Sequence, residues 1–226
     1  MTFTYYGHSC FAVEIKGKKL LFDPFITPNE LVKNVDINSI EADYILLSHA
    51  HGDHVMDAEA IARATGATIV AAYEVAMWYA KKGITNYRPM NLGGKSQFDF
   101  GTVKCVNAVH SSSLPDDSYG GNPMGFIITS DEINFYYSGD TALTLDMQLV
   151  PTFAEIDLAV LCIGDSLTMG YEDALQAALM VQTNLVIGVH YDTFPNIKID
   201  HQKAIDHFKN HDVDLKLLAI GETIEL

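Results

Sequence analysis

The run Ser48, His49, Ala50, His51, Gly52, Asp53, His54 places four metal-capable side chains within six positions, directly behind the apolar run 44–47. Imidazole nitrogens and a carboxylate together suit a borderline first-row cation such as zinc. In an extended segment residues two apart point the same way, so His49 and His51 can serve one ion. Gly52 permits a sharp turn that swings Asp53 and His54 toward a second ion. The alternative is a histidine-rich surface loop.

Three further candidates stand at the ends of predicted strands: His110 after 103–109, Asp140 after 133–137 and His190 after 185–189. Strand ends on one edge of a sandwich converge, so these join the motif in an inventory of five histidines and two aspartates. That suffices for two ions with three private ligands each and one shared carboxylate. Taken alone, His110 or His190 reads as structural, and the intact HxHxDH pattern reverses that reading. Asp140, between Ser138-Gly139 and Thr141, has an ordinary turn or cap as its alternative. His8, in the turn between the first two strands, is a proton donor, a substrate contact, or merely a partner for a backbone carbonyl. Asp23, before Pro24, either orients a ligand histidine from behind or makes an Asp-Pro turn. Asp165 and Thr168 follow another strand and suggest a pocket wall or a supporting role behind the ligands. His201, His207 and His211 read as solvated residues on or beside the last helix.

The elements that must position these groups come in two successive sets. Short alternating runs at 3–6, 10–15 and 19–22 read as an antiparallel meander, followed by strand 44–47, helix 58–65, strand 68–71 and helix 74–82. Strands at 103–109, 124–129 and 133–137 then precede strand 158–163, helix 171–180, strand 185–189, helix 201–210 and strand 215–220. Asp200 suits a helix N-cap, and Gly66 and Gly83 suit helix stops. Strands giving way twice to strand and helix alternation predict an α+β fold, a four-layer αββα sandwich, with residues 1–226 as one domain of two similar halves. Residues 111–123 are too long and polar for a hairpin turn and read as a mobile flap over the site or as a solvated loop.

Composition narrows the function. The chain has 226 residues, 48% of them hydrophobic, enough for a substantial core. A net charge of −15 with only two arginines, Arg63 and Arg88, excludes the clustered cations that phosphate backbones and anionic membranes require. Three widely spaced cysteines, Cys10, Cys105 and Cys162, argue against disulfides and zinc-thiolate sites and read as small buried residues. A start without basic residues or a long apolar stretch leads to the expectation of a soluble, cytoplasmic protein. The oligomeric state, homo-oligomer included, stays open.

The sequence resembles the metallo-β-lactamase superfamily, whose signature is HxHxDH followed by a distant His, an Asp and a final His. Within it the chain is similar to the UPF0173 type of small metal-dependent hydrolases related to ascorbate-6-phosphate lactonase. The resemblance rests on Gly7-His8-Ser9, on Ile163-Gly164-Asp165 with Thr168-Met169-Gly170, and on the run His190 to Pro195. It departs at Ile187-Gly188-Val189 before His190, where relatives commonly carry a proline. The resemblance implies that His49, His51 and His110 bind one metal, Asp53, His54 and His190 the other, and that Asp140 bridges them. The expected cofactors are two divalent ions, zinc first, with manganese or iron as alternatives. The expected activity is hydrolysis of a small-molecule ester, lactone or phosphoester by a metal-bridging hydroxide, with Asp53 or His8 protonating the leaving group. Alternatives are a phosphodiesterase or nuclease of the same fold, and a non-catalytic metal-binding or sensing module.

Overall fold

Burial alternates along β1 (Thr2–Gly7), with Phe3 and Tyr5 inward and Thr2 and Thr4 partly in solvent, the pattern of an antiparallel strand wet on one face. The computed structural model describes all 226 residues. β1, β2 (Cys10–Ile15) and β3 (Lys18–Phe22) pair antiparallel. The chain then turns to parallel pairing: β3 with β4 (Tyr44–Leu46), β4 with β5 (Thr68–Ala72), and β5 with β6 (Tyr87–Met90). Between them lie the single turn α1 (Gly52–Val55), α2 (Ala58–Thr65) and α3 (Tyr73–Lys81). Gly66, left-handed at φ 75°, stops α2.

The second sheet carries β7 (Lys95–Gln97), β8 (Thr102–Asn107), β9 (Met124–Thr129), β10 (Asn134–Tyr137), β11 (Leu158–Cys162), β12 (Leu185–Val189) and β13 (Asp214–Lys216). Its helices are α4 (Tyr171–Val181) and α5 (His201–Lys209), the latter capped by Asp200, whose carboxylate accepts from the Lys203 amide. The last strand, β14 (Thr223–Glu225), returns to the first sheet beside β1. The strand orders are β14-β1-β2-β3-β4-β5-β6 and β13-β12-β11-β10-β9-β8-β7.

The larger core lies between the sheets. Phe22 of β3 stacks on Phe11 of β2 at 4.5 Å and meets Phe126, Phe135 and Tyr137 of the facing sheet edge-on. Such offset and edge contacts are the favourable aromatic geometries. Ile61, Val75 and Tyr79 extend this core over the first sheet, while Leu161, Leu175, Ala178 and Phe208 bury α4 and α5 on the second. The result is the αββα sandwich. All three cysteines are buried and unpaired.

Several boundaries differ from expectation. β8 stops at Asn107 rather than 109, because Thr141 Oγ1 takes the Val109 amide and the Val109 carbonyl takes the Ala142 amide. The strand expected over 215–220 ends at Lys216, and β6, β7 and β14 were not legible: all three are short edge strands, one with Pro89 where no ladder donor is needed. A 3₁₀ stretch over Leu145–Thr152 also went unanticipated. The C-terminal ends of the parallel strands β3, β4, β10 and β12 share one edge of the sandwich, and the chemistry-bearing residues follow them.

Candidate metal centre

The motif leaves β4 and enters α1 at Gly52, so His49 and His51 precede the turn while Asp53 and His54 ride its first residues. His110 follows β8, Asp140 follows β10 and His190 follows β12. His49, His54, Asp140 and His190 are at most 2% exposed, whereas Asp53 and His110 keep side chains partly open, 23% and 15%. The folded chain gathers them into two donor groups, His49 with His51 and His110, and His8 with Asp53, His54 and His190. Asp140 Oδ2 stands between them. It lies 2.9 Å from His190 Nε2, 3.2 Å from His54 Nε2, 3.7 Å from His110 Nε2 and 4.0 Å from His49 Nε2.

Asp23 fixes the proton positions behind these donors. Its Oδ1 accepts from the Ser48 amide at 2.7 Å, and its Oδ2 accepts from Ser48 Oγ at 2.5 Å and Tyr137 Oη at 2.6 Å, and lies 2.9 Å from His54 Nδ1. His54 therefore keeps a proton on Nδ1, and Nε2 is the nitrogen it turns toward the cluster. Ser48 Oγ, having donated to Asp23, accepts from His49 Nδ1 at 3.0 Å, which turns the His49 Nε2 lone pair inward as well. On the other flank Ser111 Oγ sits 3.2 Å from His51 Nε2 and leaves Nδ1 to face His49 Nε2 at 2.9 Å. Two ring nitrogens so placed, with His54 Nε2 and Asp140 Oδ1 buried and lacking any hydrogen-bond partner, form a set of inward-facing donor atoms. Such a set fits divalent cations of the zinc type.

Strain marks the same residues. His8, Asp23 and His190 hold left-handed φ angles of 55°, 42° and 58°, a region that side chains other than glycine rarely occupy.

Charge follows burial and neighbours. Burial, reinforced by His190, pushes His8 down to about 4. Burial likewise lowers His49, His51 and His110. Burial opposes the charge on His54 too, yet the Asp140 and Asp53 carboxylates outweigh it and hold this imidazole well above its ordinary value. Asp53 and Asp140 are themselves held low by surrounding imidazoles in spite of burial.

A pH dependence follows for the metal-stripped protein. The unfolded chain protonates its histidines near 6.5, whereas His8, His49, His51 and His110 stay neutral in the fold, so their contribution is present above about 6.5 and lost as pH falls toward 4. His54 runs the other way, contributing below about 6.5 and losing that as pH rises through its elevated folded value. Four against one, the urea midpoint of chelated protein is expected to drop between pH 7 and pH 4.5. A midpoint that rises on acidification refutes this assignment of charge.

Not every expected residue reaches the centre. Asp165 is exposed and caps its own turn, accepting the Ser166 amide, and Thr168 Oγ1 donates to the Met169 carbonyl. Neither touches a ligand histidine, because the bridge Gly164–Gly170 folds their loop back on itself. Residues 111–123 are fastened rather than free: Ser112 Oγ donates to the Gly120 carbonyl and accepts the Ala50 amide, and Leu114 is buried. His201 pairs with Asp192 at 2.6 Å, away from the cluster. Ser48, Ser111, Tyr137 and Thr193 support the centre and went unnoticed in the sequence. Only Ser48 and Ser111, each next to a ligand, carried a local signal.

Comparison with known proteins gives the family. The family described as Beta-lactamase superfamily domain matches residues 2–190. A UPF0173 metal-dependent hydrolase of Flavobacterium johnsoniae is 53% identical over 226 residues, 100% of both chains, and the UPF0173 metal-dependent hydrolase YtkL of Bacillus subtilis is 42% identical, again over 100% of both. Igni18, a metallo hydrolase of the archaeon Ignicoccus hospitalis, superposes with a TM-score of 0.89 at 33% identity, covering 99% of this chain and 97% of that one. With its HxHxDH turn, its later His, Asp and His at strand ends and full-length relatives of this kind, the chain belongs to the metallo-β-lactamase superfamily, in its UPF0173 family of metal-dependent hydrolases.

Proposed function

We propose that the protein is a two-ion hydrolase of small-molecule esters, lactones or phosphoesters. The observation that carries this reading is the position of Asp140 Oδ2, in reach of His54 and His190 from one donor group and of His49 and His110 from the other. His49, His51 and His110 would hold one cation, Asp53, His54 and His190 the second, with Asp140 between them. Divalent cations bound there, zinc first and manganese or iron as alternatives, supply Lewis-acid polarisation of a scissile carbonyl or phosphoryl group and an acidified water.

The chain's own groups set the rest. Asp53 is the partly exposed carboxylate of the cluster, held ionised chiefly by His54 in spite of burial, so it orients or accepts a proton at Oδ2 rather than donating one. His8, held neutral, does not serve as an acid near pH 7. His51, Asp53 and His110 are half-buried and Ser111 is exposed, the side from which a small substrate would reach the centre. The charge of −15 disfavours polyanions such as nucleic acid. No helix is long and apolar enough to cross a membrane, in keeping with a proposed cytoplasmic place.

Elemental analysis of gently purified protein, run beside a panel of chromogenic esters, lactones and phosphoesters, tests the reading. Expected are about two ions per chain and turnover that disappears on chelation and returns with zinc or manganese. Fewer than one ion per chain sinks the two-ion reading. A metal-replete protein that turns over no member of the panel points instead to a sensing module.

A further inference from the structure

His8 is the member of the cluster to which the two-ion reading gives no task. It sits in the turn joining β1 to β2, at most 1% exposed, with its ring 4.2 Å from that of His190 and edge-on to Phe194. Its carbonyl accepts from Tyr5 Oη at 3.0 Å and from the His190 amide at 2.9 Å. The left-handed turn is thereby fastened to the strand end that carries His190, and the imidazole has one place to point.

The hydrogen bonds around the ring decide what it offers there. Thr193 Oγ1 lies 3.0 Å from His8 Nδ1 and 3.3 Å from the Tyr191 carbonyl, which can take its proton. With the Thr193 proton assigned to that carbonyl, the hydroxyl accepts from Nδ1, which then carries the ring proton and leaves Nε2 its lone pair. Nε2 is aimed at Asp53 Oδ2, 3.1 Å away. Beside it His54 Nε2, the nitrogen that Asp23 leaves facing the cluster, is buried without a hydrogen-bond partner. One donor atom from each of His8, Asp53, His54 and His190 falls within 4.8 Å of every other. Acceptors facing one another in a buried site are costly unless a cation lies among them.

We propose that His8 Nε2 is a fourth unshared protein ligand of the second cation, alongside Asp53, His54 and His190 and beside the shared Asp140. This rests on the two-ion reading of the same site. It assigns His8 to holding the ion rather than to moving a proton, and it gives Thr193 the task of fixing the ring by its Nδ1.

Cobalt titration of the chelated full-length protein, followed by visible absorption and elemental analysis, tests the assignment without recourse to activity. The wild type is expected to take up two ions in two resolvable steps. His8→Gly suits the backbone, since φ 55° is open to glycine. It should raise the dissociation constant of the second step at least about tenfold, alter that step's absorption band and leave the first step in place. Added imidazole should restore the second step. Thr193→Val, which leaves His8 present but frees its Nδ1, should weaken the second step less, and it keeps the test available if His8→Gly unfolds. His8→Gly protein that binds both ions with wild-type affinity and spectrum overturns the ligand assignment while leaving the two-ion reading standing. Loss of the second step without imidazole rescue in a folded variant also overturns it. A wild type that takes only one cobalt ion overturns the two-ion reading itself, and the role of His8 falls with it.

Discussion

Asp140→Asn is expected to lower turnover at least about a thousand-fold, since in the proposed centre this carboxylate would bridge two cations and support several kcal/mol of transition-state stabilisation. It should also reduce bound metal to one ion per chain or less. The reason lies in its surroundings: one buried oxygen stands 2.9–4.0 Å from four ring nitrogens drawn from the end of β12, the turn α1 and the loops behind β4 and β8. Burial works against ionisation of this carboxyl, but His190 and His54 hold it well below the ordinary range. In the metal-stripped protein the same substitution removes the chief partner of the elevated His54. A buried charge left without its counterion costs about 3–5 kcal/mol. Chemical denaturation of chelated wild type and variant measures that loss, and elemental analysis measures the other. An Asp140→Asn protein that keeps two ions and wild-type turnover would show that the two donor groups work independently.

The residues of the centre were legible because coordination imposes local spacing. HxHxDH works as a strand end followed by a one-turn helix, and the residues that permit it, Gly52 above all, sit inside the motif. Asp140 and His190 were legible for a related reason, since each directly follows a well-patterned apolar strand. The layered fold was readable in the same way, from the switch between alternating strands at 3–22 and continuous apolar strands such as Leu158–Cys162. What was not legible depends on partners distant in sequence. β14 exists because the C-terminal chain finds the open edge of β1, some two hundred residues away, as the pairing of Phe3 with Ile224 records. Tyr137 gives no sign of reaching Asp23, 114 residues earlier. Asp165 and Thr168 failed for the opposite reason: a strand end places a residue near the edge but does not choose its direction, and the local turn took both side chains.

The second large effect is expected at Asp23. Its carboxylate gathers four donors from three segments: the Ser48 amide and hydroxyl, His54 Nδ1 and Tyr137 Oη. Asp23→Ala strands all four in a site of 0% exposure. With each unmet buried donor costing about 1–3 kcal/mol and some relief by relaxation, a loss of about 3–5 kcal/mol is expected in the chelated protein. Asp23→Asn keeps the volume but turns an amide donor toward groups that are already donors, so it should be little better. The consequence for function is distinctive. Asp23 holds His54 directly and His49 through Ser48, one histidine from each donor group, so both ions should bind about 10–100-fold more weakly. Tyr137→Phe separates the two effects. It removes one donor to Asp23 without freeing either histidine, so stability should fall by about 1 kcal/mol while both metal affinities hold. If Asp23→Asn were to bind both ions as tightly as wild type, the ions themselves would be setting the histidine tautomers. The network behind them would then contribute to folding alone.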